Sequence, residues 1–80
     1  MSGIAVARLE ALLHAAFPGA GDLQVIDRTG GGDHFQVIVT SARFDGLPLV
    51  QQHRLVNEAL SQPLADGTIH ELRIKTRGTA

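Results

Sequence analysis

Leu9, Leu12, Leu13, Ala16 and Phe17 recur at the i, i+3, i+4 spacing that lines apolar side chains along one stripe of a helix. The pattern predicts an amphipathic helix over about residues 4–17, with Ser2 as its N-cap. Pro18-Gly19 stops it, because proline cannot continue the hydrogen-bond ladder. Beyond that point the period changes to alternation. Leu23 and Val25 face one way and Gln24, Ile26 and Arg28 the other, a short strand over 23–28. Over 34–41, Phe35, Val37 and Val39 alternate with Gln36, Ile38 and Thr40, the clearest strand of the chain. Thr29-Gly30-Gly31-Gly32-Asp33 between them is a flexible turn, so the two strands form an antiparallel hairpin.

Arg43-Phe44-Asp45-Gly46 reads as a turn, and Pro48 stands where the first turn of a helix tolerates proline. Over 49–60, Leu49, Val56 and Leu60 share a stripe widened by Leu55 and Ala59, with His53 in the same row. Pro63 is expected to end this helix and 64–67 to add one helical turn. Alternation returns over 69–76, with His70, Leu72 and Ile74 on one face and Ile69, Glu71, Arg73 and Lys75 on the other. Arg77-Gly78-Thr79-Ala80 is expected to fray. The order helix, strand, strand, helix, short helix, strand predicts an α+β fold of two layers. A three-stranded mixed sheet carries both main helices on one face, in a single domain over 1–80.

Eighty residues bury only about 60% of the surface of the unfolded chain, which leaves little room for a deep catalytic pocket. Seven Lys and Arg against eight Asp and Glu give a formal charge of -1, and nothing global to draw a phosphate backbone. There is no cysteine, hence no disulfide, no thiol nucleophile and no thiolate ligand. The apolar runs are too short to span a bilayer, and the N-terminus does not read as a signal peptide. No membrane partner and a cytoplasmic location are the default expectations.

No catalytic constellation stands out. Ser2, Ser41 and Ser61 lack a nucleophile-elbow context, and the Gly30-Gly31-Gly32 run lacks the lysine and the strand-to-helix setting of a phosphate loop. The histidines carry more. His14 reads as a surface residue; His53 as a half-buried structural histidine or a contact at a docking surface; His34 as a polar edge residue beside the glycine loop. Alternation puts His70 at the lip of the core, within a partner's reach, where a neutral imidazole is either a ligand for iron or zinc or simply structural. Arg43, Arg54, Arg73, Lys75 and Arg77 form either a solvated face or a local basic patch for nucleic acid or an acidic partner.

The succession His34-Phe35-Gln36-Val37-Ile38-Val39, Arg43-Phe44-Asp45-Gly46, Gln52-His53-Arg54-Leu55-Val56-Asn57, Leu60 and Ile69-His70-Glu71-Leu72-Arg73-Ile74 resembles the BolA family over roughly residues 4–77. Its characteristic parts are the Phe-Asp-Gly turn, the His-Arg pair and the Ile-His start of the last strand, specific through their order and spacing. The resemblance implies a fold like a type II KH domain and a non-enzymatic role in iron–sulfur homeostasis or stress response. It also implies a monothiol glutaredoxin as partner and a shared [2Fe–2S] cluster to which glutaredoxin and glutathione supply thiols. The family histidine at the start of the last strand is His70 here, and His34 is the only histidine able to serve as second ligand from the hairpin loop. Phe44, Gly46, His53 and Arg54 are the partner-facing candidates. The alternative is a nucleic-acid-binding transcriptional regulator using Arg54, Arg73 and Lys75. No GXXG clamp occurs in the sequence, so weak binding is expected. The free protein is expected to be a monomer or a weak homodimer through Ile26 and Ile38.

Overall fold

In a computed structural model describing residues 2–28 and 33–79, the first apolar row becomes helix α1 (Ser2–Ala16). Leu9, Leu13 and, just past its end, Phe17 are fully buried. Each such side chain contributes about 1.5–3 kcal/mol by leaving water. The helix already includes Ser2, so its cap lies outside the described residues. The Gly30-Gly31-Gly32 turn also lies outside them.

Strands β1 (Asp22–Asp27) and β2 (His34–Thr40) pair antiparallel, with Val25 opposite Val37 and Leu23 opposite Val39. Strand β3 (Glu71–Arg77) pairs parallel to β2, with Val37 opposite Ile74 and Phe35 opposite Leu72. The sheet order β1-β2-β3 therefore makes β2 the central strand, and its Phe35, Val37 and Val39 are fully buried. Parallel β2 and β3 require a crossover. Helices α2 (Leu49–Ala59) and α3 (Ser61–Ala65) supply it, and Val56, Leu60 and Phe44 join the same core as α1. The result is the expected two-layer α+β fold, with a mixed sheet and its helices on one face.

Four local expectations are corrected. Leu49 is 60% exposed and takes no part in the core; it opens α2 at the solvent side, before the helix settles on the sheet through Val56. Pro63 does not end a helix but sits buried within α3. The break falls at Leu60, and Pro63 occupies an early turn in which backbone N–H groups have no intrahelical acceptor to lose. Ile69 is buried and His70 exposed, the reverse of the parity reading. Ile69 precedes the strand, where its N–H donates to the Pro63 carbonyl (3.1 Å), and strand alternation begins only at Glu71.

The fourth correction is the C-terminal end. Arg77 belongs to β3, and Thr79 is tied down by Asp45, whose carboxylate accepts from the Thr79 backbone N–H (2.6 Å) and hydroxyl (2.8 Å). Asp45 precedes Gly46, which takes φ +77° and so turns the chain where a side chain would be strained.

Candidate functional site

Because β2 and β3 run parallel, both begin at one end of the sheet, and that end gathers two histidines far apart in the chain. His34, the first residue of β2, stands opposite Glu71, the first of β3. His70 precedes Glu71, and both of their backbone N–H groups donate to the Asp33 carbonyl, at 2.8 and 3.3 Å. The side chains pair as well: His70 Nδ1 lies 3.3 Å from Asp33 Oδ2, and His34 Nδ1 lies 3.6 Å from Glu71 Oε2. The His70 side chain is 63% exposed and that of His34 39%.

Imidazole nitrogen suits iron and zinc. Among the described residues, no group of three or more His, Cys, Asp or Glu side chains is placed to hold an ion. With no cysteine in the chain, this corner offers one or two nitrogen donors, His34 at the start of β2 and His70 just before β3. A metal centre docked here would draw its remaining ligands from another molecule.

The partner-facing candidates separate. Phe44 is 1% exposed, its ring 5.1 Å from that of Phe17, so it is a core residue that a partner cannot touch. It lies in a short 3-10 helix (Ala42–Phe44) capped by the Ser41 hydroxyl, which turns it inward. Gly46 is exposed. His53 and Arg54 line an open groove of about 480 Å³ on α2 with Val50, Asn57, Glu58 and Ser61, His53 half-buried and Arg54 exposed. His14 is exposed on α1.

The basic residues do not form one patch. Arg43 donates to the Ala16 carbonyl (2.7 Å) and lies over the Phe17 ring (5.2 Å), where it closes the C-terminal end of α1. Arg73, Lys75 and Arg77 alternate with the inward Leu72, Ile74 and Thr76 and so project from the open sheet face. Arg54 belongs to the helical layer.

Sequence reasoning missed Asp33 and Glu71, whose role depends on the β2–β3 register; the Asp33-His34 and His70-Glu71 dipeptides were the available signal. It also missed Gln52, which accepts from the Thr76 hydroxyl (2.6 Å) and donates to the Leu47 carbonyl (2.8 Å), joining α2 to β3 and to the preceding turn.

The family model described as BolA-like protein matches residues 10–80. An uncharacterised protein of Rickettsia prowazekii is 37% identical over 73 residues, covering 91% of this chain and 92% of that one. BolA-like protein 1 of mouse is 49% identical over 51 residues, 64% of this chain but only 36% of the mouse protein. Among solved structures, BolA1 from Arabidopsis thaliana superposes with a TM-score of 0.85 at 28% identity, over 94% of this chain and 92% of that one.

Proposed function

Since the chain belongs to the BolA family, we propose that it is a non-catalytic docking module that pairs with a monothiol glutaredoxin and presents His70 to a [2Fe–2S] cluster shared between them. The carrying observation is the exposed His70 ring on the backbone clamp at Asp33. A donor placed just before a strand can stand at a protein–protein boundary without opening the core.

The absence of cysteine supports a shared rather than a self-contained centre. Such clusters take four terminal ligands, and replacing thiolate by neutral imidazole raises the potential, as in Rieske centres. Thiols of the glutaredoxin and of glutathione complete the set, with His34 as the second nitrogen within this chain. When bound, the cluster supplies one-electron chemistry and iron for homeostasis or stress response. His53 and Arg54 serve docking in the α2 groove.

The test is co-expression with a monothiol glutaredoxin, purification of the mixed complex and its visible absorption spectrum. His70→Ala is expected to leave a folded protein and to change the spectrum or lose the coloured complex. His53→Ala weakens docking or stability but leaves the colour of any complex that forms. An unchanged spectrum and unchanged cluster lability in His70→Ala would refute the ligand assignment.

A further inference from the structure

We propose that Asp33 is a positioning residue for His70, holding the ring by Nδ1 so that Nε2 presents its lone pair to an incoming metal. The link to a cluster rests on the reading above; the state of the ring does not. Asp33 is fixed to His70 through its carbonyl, which accepts the His70 N–H at 2.8 Å, and its carboxylate then lies 3.3 Å from Nδ1.

An ionised carboxylate can only accept hydrogen bonds, so a neutral ring meets it with Nδ1–H and leaves Nε2 unprotonated. Histidines that bind metals are commonly oriented in this way by a carboxylate on the other nitrogen, and losing that carboxylate typically lowers metal affinity by about 10–100-fold. The neighbouring pair is not equivalent. His34 Nδ1 to Glu71 Oε2 is 3.6 Å, too long for a hydrogen bond. Of the two histidines, His70 has the shorter carboxylate contact, 3.3 Å against 3.6 Å for His34.

The test is imidazole ¹⁵N NMR on the full chain at alkaline pH, where the rings are neutral. His70 is expected as the Nδ1–H tautomer, the opposite of the form free histidine favours. Asp33→Ala is expected to move it towards Nε2–H while His14 and His53 stay unchanged. An Nε2–H tautomer in the parent protein, or an unchanged Nδ1–H tautomer in Asp33→Ala, overturns the proposal. In the glutaredoxin complex, Asp33→Ala is expected to weaken cluster retention about tenfold or more. Cluster loss in His70→Ala with full retention in Asp33→Ala also overturns it. No effect from His70→Ala refutes the ligand assignment instead, and the tautomer measurement alone then decides the role of Asp33.

Discussion

Thr79 closes the end of the described chain onto Asp45, its backbone N–H and its hydroxyl reaching the two carboxylate oxygens at 2.6 and 2.8 Å. The Phe-Asp-Gly turn thus has two jobs: Phe44 enters the core and Asp45 holds the segment after β3. Asp45→Ala is expected to destabilise by about 1 kcal/mol, the net worth of a hydrogen bond. It should also raise amide exchange at Thr79, which hydrogen-exchange NMR reads. Gly78→Ala should act alike, since a Cβ at Gly78 would collide with Asp45 Oδ1.

Gln52 is expected to matter more than its polar, surface-like identity suggests. Truncating it to Ala leaves the half-buried Thr76 hydroxyl and the Leu47 carbonyl without their partner, at a cost of about 1 kcal/mol. Denaturant titration of Gln52→Ala, Thr76→Val and the double variant should give a coupling of about 1 kcal/mol; additive effects would show that the bridge carries no energy of its own.

For Phe44, loss of folding rather than loss of a partner is the expected phenotype. Phe44→Ala removes a fully buried ring from a small core, a change that costs about 3–5 kcal/mol. That is a large share of the roughly 5–15 kcal/mol available to a domain. Circular dichroism melts should show a marginal or unfolded protein, with Phe44→Leu in between.

Acid stability should carry the signature of Asp66. Hydrogen bonds from the Thr68 hydroxyl and backbone, then from Arg8, lower its pKa from 3.8 to about 2. Between those values the unfolded chain binds the proton and the folded one does not, so stability rises with pH there. The contribution is present above about pH 4 and is lost as pH falls towards 2. Asp66→Asn should flatten this part of the stability–pH curve, measured by thermal melts across it.

Nucleic-acid binding is expected to be weak and strongly salt-dependent. Arg73 and Lys75 on the open sheet face and Arg54 in the helical layer cannot line one phosphate track. Fluorescence anisotropy with duplex and single-stranded probes at physiological salt checks this. Tight, sequence-specific binding by the protein alone would promote the regulator reading.

Legibility followed the range of the interaction. Alternation at Phe35, Val37 and Val39 was readable because a central strand buries one face along its whole length. The same rule failed at Ile69 and His70, because parity holds only inside a strand and the Pro63 carbonyl binds Ile69 before the strand begins. Of the candidate site, His70 and His34 could be picked out as residues, while their carboxylates could not. Arg43 and Phe44 looked like surface chemistry, yet both serve packing, through contacts with Phe17.

Local periodicity and composition were enough to set the elements, their order, the apolar side of each strand and the absence of any thiol. That β3 lies parallel to β2 with Glu71 opposite His34 follows from the packing of the whole domain. Pairing partners and register depend on how the crossover helices close over the core, a property of no local segment. From that register come the shared corner of His34 and His70, the clamp at Asp33 and the separation of the basic residues onto two layers. The physical reason is that a strand's side-chain period is set locally, whereas its neighbour is set by the whole fold.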